Sequence, residues 1–349
     1  MTRPALGLAV GGPYSQLPAL GRAAEEAGFD SVWVAETDRE SIVQATVLAQ
    51  ATSRIEVGTN ITLAFPRSPT VTAMQAWDLN ELSGDRFVLG LGSQVRRIVT
   101  DRFSATFDRP AARMAEYVGA MRTVWEMERG NRRPFRGEMY RVIRPGLNGL
   151  GTARDRALPR VYVAAVGPLM VRTAATHADG MLGHPFTSAA YLRGDVLPRV
   201  DQALTDAGRD RASFTLAQGI ILSIAERREV AVREAKAQVG FYGTTPNYAP
   251  VFAANGEAHL TEDLGRVFAD TGGDPDALAA AVPDEVVERY AVAGTPDEVR
   301  DRLAEVGGLV DHLILGGAWY RVPPPRMQEN VAAIIDTFGR RGENLQRQR

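Results

Sequence analysis

The sequence predicts an α/β protein, a single (β/α)8 (TIM) barrel with insertions at the C-terminal face, on three observations. Eight short apolar strands alternate with eight or more helices along the chain. A length of 349 residues is large for one ordinary domain but normal for such a barrel carrying insertions. The run 55–94 reads strand, helix, strand, and strands joined through a helix lie parallel.

The elements follow in order. Strand 6–10 (LGLAV) leads to helix 15–28, with Leu17, Leu20, Ala24 and Ala27 on one stripe and Gly28 past its end. Strand 31–36 (SVWVAE) leads to helix 41–52. Segment 55–63 (IEVGTNITL) is rich in β-branched residues. FPRSP (65–69) offers Ser68 as a helix N-cap and Pro69 at the first helical position. Met74, Leu79 and Leu82 supply that helix's apolar side chains, and Gly84 stops it. Strand 86–92 (RFVLGLG) leads through an Arg-rich loop to helix 110–128, and strand 161–165 to helix 168–178. Strand 180–183 leads to helix 188–207, and strand 216–224 to several helical pieces. Helix 296–306 opens on a capping box, Thr295-Pro296 with Glu298. Strand 312–317 and helix 326–338 close the series.

Two segments exceed the plain repeat. Residues 130–157 hold scattered Gly, Pro and Arg with a small strand at 138–142 (EMYRV), and residues 226–294 contain the aromatic, turn-rich FYGTTPNYAP (241–250). Insertions of this length shape a site, or serve as surface elaboration or a dimer contact. No linker divides the chain, so one domain spans 1–349.

Composition excludes several classes. A net charge of −2 gives no general attraction to nucleic acid or anionic membrane. The absence of cysteine removes disulfides, thiolate metal sites and Cys nucleophiles, and suits the cytoplasm. The N-terminus shows no signal-peptide pattern, and no apolar run is long enough to span a membrane. Lys236 is the only lysine. GxSxG, Walker and GxGxxG motifs are absent, and GLGSQ (90–94) lacks the third glycine of a dinucleotide fingerprint. The four histidines are scattered, so no metal site is expected.

Ligands of parallel barrels bind beyond the carboxyl ends of the strands. Two of those ends, Thr59-Asn60-Ile61-Thr62 and Gly92-Ser93-Gln94, are polar or glycine-containing. A third strand ends at Ala165, and its helix starts with Gly167 and Pro168. Amides at a helix start attract anions, and Val166, Gly167, Leu169 and Met170 would supply them, because proline has no N–H. A phosphate site and an ordinary helix start both fit that turn.

The run GTNI…RSP…A…L…L…GDRFVLGLG, followed by AAVGP…A…ADG, resembles the bacterial-luciferase-like flavin and deazaflavin oxidoreductases. It is most similar to their coenzyme F420-dependent branch. The likeness runs from 6–10 to 293–303 and the final strand, carried by order and spacing rather than by one motif.

The resemblance implies hydride transfer between C5 of F420 and a substrate. It implies a non-proline cis peptide at Asn60–Ile61, with Ile61 against the back of the ring. Thr37, Thr62, Gly92, Ser93 and Gln94 would lie around the cofactor, and Ala165, Val166 and Gly167 would take its phosphate. Sugar-phosphate dehydrogenases of the family carry Asp-His after the second strand and a Glu after the fourth. Here Glu36-Thr37 and Gln94-Val95-Arg96 stand in those places. Glu36 is therefore the candidate for bonding the ring or placing a proton, against a carboxylate simply paired with an arginine.

His184, in HPF (184–186), is a candidate cofactor or substrate contact, whereas His177, His259 and His312 read as structural. Arg96 and Arg97 could attract the acidic cofactor tail or be solvated. Tyr242, Tyr248, Phe252, Trp319 and Tyr320 suggest an apolar pocket for a small hydrophobic substrate. The expected partners are that small molecule and a second copy of the chain in a homodimer. The alternatives are an FMN-dependent luciferase-like monooxygenase and a non-catalytic F420-binding barrel.

Overall fold

The computed structural model describes residues 3–146 and 156–339. Its first half repeats a simple unit. Strands β1 (Ala5–Ala9), β2 (Ser31–Val34), β3 (Glu56–Thr59) with its continuation β4 (Thr62–Leu63), and β5 (Phe87–Gly92) alternate with helices α1 (Leu17–Ala27), α2 (Ser41–Ala51), α3 (Pro69–Leu82) and α4 (Pro110–Glu128). A short hairpin, β6 (Phe135–Arg136) and β7 (Arg141–Val142), precedes β8 (Arg160–Ala165), α5 (Pro168–His177) and β9 (Gly180–Gly183). The helix expected at 188–207 is bent: one turn of α6 (Ala189–Tyr191), a π-helical turn at Leu192–Val196, then α7 (Leu197–Asp206). Strand β10 (Thr215–Ile224) is followed by α8 (Arg228–Gly243), α9 (Ala249–Ala253), α10 (Leu260–Thr271), α11 (Pro275–Ala281) and α12 (Asp284–Tyr290). Strand β11 (Ala291–Gly294), the short helices α13 (Pro296–Arg300) and α14 (Ala304–Gly307), β12 (His312–Gly317) and α15 (Pro324–Phe338) complete the order.

The eight strands read from the sequence close into one parallel barrel, β1-β2-β3-β5-β8-β9-β10-β12, with β12 returning to β1. Closure leaves no edge strand in the ring. The sequence reading missed β11, placing 291–294 inside the second insertion. Strand β10 is long enough to serve two neighbours. Its first half, Thr215–Gln218, pairs with β9, and its second half, Ile221–Ile224, pairs with β11.

Alternation along each strand separates two cores. The barrel interior holds Trp33, Val88, Tyr162, Leu182, Ala217 and Ile314. Trp33 and Tyr162 lie with ring centroids 6.2 Å apart. Gly58 makes room for the indole, since a Cβ there would come within 2.3 Å of it. At the amino ends of the strands, Trp33 Nε1 donates to Ser31 Oγ (2.6 Å), which pairs with His312 Nε2 (2.8 Å). His312 is thus structural, as its place at the start of a strand suggested. The outer core fills the space between strands and helices.

Local signals mostly act as written. Ser68 Oγ accepts from Thr70 N (3.2 Å) ahead of Pro69, and Glu298 closes the capping box on Thr295 N (2.8 Å). On α3, however, only Leu79 of the three expected apolar residues is buried. Met74 and Leu82 are more than half exposed, and Ala73, Ala76 and Trp77 form the inner face instead.

The first insertion leaves from the C-terminal end of α4, at the amino-end side of the barrel. Its hairpin climbs back along that helix. Glu116 accepts from the amides of Glu138 (2.9 Å), Met139 (2.8 Å) and Tyr140 (3.1 Å), and Glu138 reaches Arg109 at the head of α4. Of the strand expected at 138–142, only Arg141–Val142 pairs. Residues 147–155 of that insertion lie outside the described residues.

Candidate active site

Ile61 stands at the carboxyl mouth of the barrel. Ala9, Ile61 and Ala164 pack on the interior cluster from that side, so the layer above Trp33 and Tyr162 is built of small side chains with Ile61 projecting from it. The Asn60–Ile61 peptide is cis, as the resemblance implied. Asn60 N donates to Val34 O (2.7 Å), and β4 resumes pairing with β5 at Thr62↔Leu91. The Ile61 side chain lies over Gly92, where a Cβ would meet Ile61 Cδ1 at 1.9 Å.

Glu36 braces this bulge and pairs with an arginine, the alternative the sequence left open for it. Its N–H donates to Ile61 O (3.1 Å), and its Oε2 accepts from Leu63 N (2.8 Å). Arg67 spans both carboxylate oxygens, Nη2 to Oε1 at 2.6 Å and Nη1 to Oε2 at 3.0 Å. Arg67 also reaches Leu63 O (3.0 Å) and Glu40 Oε1 (2.8 Å). Burial opposes the guanidinium's charge, yet the two carboxylates raise its pKa above the ordinary value. Glu36 is 7% exposed and held by a fixed cation. These bonds fix the chain around Ile61. Arg67 was missed as a site residue because its partners are 31 and 27 positions away and no local pattern marks them.

Other expected contacts divide. Thr62 is fully buried and its hydroxyl pairs with Ser41 Oγ (2.9 Å), which supports the bulge. Thr37 lies exposed at the rim, where its carbonyl accepts from Arg102 (3.0 Å). Gly92 is buried, Ser93 is partly buried, and Gln94 turns the chain outward at φ 54° while accepting from Val95 N (3.0 Å). Arg96 is engaged with Phe107 O (2.7 Å), whereas Arg97 is solvated beside Asp101.

At the β8–α5 turn Ala165 is buried and Val166 O accepts from Tyr191 OH (3.1 Å). Gly167 is exposed, caps α5, and has no atom within 4 Å of where a Cβ would lie. Met170 N closes on Gly167 O (3.1 Å), so Met170 leaves the expected set of donors. The Gly167 and Leu169 amides, at the head of a ten-residue helix, remain without intrahelical acceptors.

His184 follows β9 directly. Its ring stacks on Tyr248 (centroids 4.3 Å apart) and meets Tyr242 edge-on (4.6 Å). Trp319, about half exposed, donates Nε1 to Tyr242 OH (3.2 Å), and Gln238 Oε1 anchors the Trp319 and Tyr320 amides. Two members of the expected pocket belong to the core instead. Phe252 is buried against Phe186 and Tyr290, and Tyr320 is buried on Phe241 with its hydroxyl on Gly273 O (2.7 Å). His177 lies exposed in the last turn of α5, where partial desolvation and the nearby Arg122 lower its pKa. His259 occupies the N-cap position of α10.

The family model for luciferase-like monooxygenases matches residues 1–312. An uncharacterised protein of Mycobacterium tuberculosis is 34% identical over 299 residues, covering 84% of this chain and 87% of the relative. A candidate coenzyme F420-dependent oxidoreductase of the same species is 29% identical over 332 residues, covering 90% and 92%. Among solved structures, the coenzyme F420-dependent tetrahydromethanopterin reductase of Methanopyrus kandleri superimposes with a TM-score of 0.80. The identity is 20%, with 98% of this chain and 99% of that one covered.

Proposed function

The chain belongs to the luciferase-like monooxygenase family, and on that premise we propose that it is an F420-dependent oxidoreductase acting on a small, uncharged organic substrate. The observation that carries this reading is the Ile61 bulge over Gly92, facing a mouth lined by Ala9 and Ala164. On this reading that layer of small side chains is the floor against which a flat ring would lie. The turn at Gly167, open where a Cβ would stand, fits a phosphate. When bound, F420 supplies the two-electron hydride chemistry. Ile61 would bear on one face of the ring and leave the other to the substrate. Glu36 and Arg67 hold Ile61 in place, and the aromatic wall of Tyr242, Tyr248 and Trp319 excludes water from the substrate side.

The test is equilibrium titration of the purified protein with F420 and, separately, with FMN. Saturable binding of F420 and weak or no binding of FMN is expected. Preference for FMN would favour the monooxygenase alternative, and loss of both would end the reading.

The same reading takes the active form as a cytoplasmic homodimer. Helix α2 carries no charged residue, and Val43, Val71 and Met74 on α2 and its neighbour α3 are about half exposed. A second copy covering these apolar side chains, with Asp78 and Glu81 of α3 beside them, accounts for their exposure. Light scattering should give twice the chain mass, and Met74→Glu should halve it; a monomeric wild type would contradict this.

A further inference from the structure

The His184 ring has a defined protonation pattern. Phe186 N donates to its Nδ1 at 3.1 Å, so Nδ1 presents a lone pair and the proton of the neutral ring sits on Nε2. Gln218 Nε2 donates to His184 O (2.7 Å) and Gly219 O (2.9 Å), fixing the loop that carries the ring. Among the described residues Nε2 has no acceptor, and it is not sealed in the interior. The ring's aromatic partners, Tyr242 and Tyr248, come from α8 and the turn after it, on the β10 side of the mouth. The turn at Gly167 lies on the β8 side. Burial among these uncharged rings lowers the His184 pKa to about 3, keeping the imidazole neutral.

We propose that His184 is the hydrogen-bond donor of the substrate subsite, offering Nε2–H to a carbonyl oxygen or imine nitrogen of an uncharged substrate. This rests on the oxidoreductase reading above and names the substrate chemistry it takes. A phosphate or carboxylate approaching Nε2 beside these packed rings would lose its hydration and find no opposite charge. A neutral acceptor loses less and gains a fixed donor. The imidazole binds and orients; releasing its Nε2 proton would leave an imidazolate, so the reaction's proton comes from elsewhere.

The experiment uses protein with 15N-labelled histidine, four side chains in all, with His184 assigned through His184→Gln. F420 binding by the wild type is measured first; its absence sinks the oxidoreductase reading rather than this one. With F420 bound, His184 should be the neutral Nε2–H tautomer at pH 7. Cyclohexanone should shift the Nε2 signal, and cyclohexanecarboxylate should not. His184→Phe and His184→Gln should bind F420 within about twofold of wild type. Cyclohexanone affinity should fall at least tenfold in the Phe variant and less in the Gln variant, which keeps an N–H. An Nδ1–H or charged ring, an unmoved Nε2 signal, equal binding of the carboxylate, or loss of F420 affinity in both variants would overturn the proposal.

Discussion

The Ile61 side chain occupies the volume that any side chain at position 92 would need, its Cδ1 lying 1.9 Å from a Cβ built on Gly92. Gly92→Ala should therefore displace Ile61 at a cost of about 1–3 kcal/mol. F420 affinity should drop at least tenfold in an otherwise folded protein. Ile61→Ala in the same chain should relieve the clash, so the two effects will not add. Wild-type F420 affinity in Gly92→Ala would remove Ile61 from the cofactor site.

Glu36→Gln keeps the shape of the side chain but removes the charge that Arg67 spans. Hydrogen bonds to charged groups contribute about 1.5–3 kcal/mol, and Glu40 still holds one arm of Arg67. Denaturant unfolding should show a loss of about 2 kcal/mol together with weaker F420 binding. The pH dependence of turnover should keep its wild-type midpoints, because a positioning residue does not carry the proton. A shifted midpoint with unchanged stability would restore Glu36 as an acid or base.

Gly167→Asp separates folding from binding. Asp is a better N-cap than Gly, so the melting temperature should hold or rise slightly. The carboxylate would stand where the cofactor phosphate is expected, and F420 affinity should fall at least tenfold. Unchanged affinity would move the phosphate away from this turn.

The barrel was legible in the sequence because its strands and helices are encoded locally. β-Branched runs, the Ser68-Pro69 cap and Gly28 act within a few residues of where they stand. The cis peptide at Asn60–Ile61 was reached through the order of short motifs. Pairings between distant residues were not legible. Arg67 meets Glu36 only after β2, β4 and α3 assemble, and β11 is a strand only because the upper half of β10 lacks a neighbour. The burial of Tyr320 and Phe252 follows from helices of the second insertion, whose packing no spacing in the sequence announces.

His312 offers a pH test of the core. Burial lowers its pKa to about 4, against an ordinary 6.5. The neutral ring on Ser31 therefore contributes stability that is complete above pH 6.5 and is lost as pH falls towards 4. One proton contributes a slope of about 1.4 kcal/mol per pH unit in that window. His312→Asn should be less stable at pH 7, and its stability should fall less steeply between pH 6 and 5. Equal slopes in the two proteins would show that His312 titrates normally.

The central claim is hydride transfer between F420 and a neutral organic substrate. Its most direct measurement is anaerobic oxidation of reduced F420 by the purified enzyme with cyclic imines, enones, simple ketones and, as a contrast, 6-phosphogluconolactone. The forward direction pairs oxidised F420 with simple alcohols and glucose 6-phosphate. Enzyme-dependent turnover with at least one neutral substrate and none with the sugar phosphates is the predicted result. Turnover confined to the sugar phosphates, or activity that requires oxygen and reduced FMN, would contradict it.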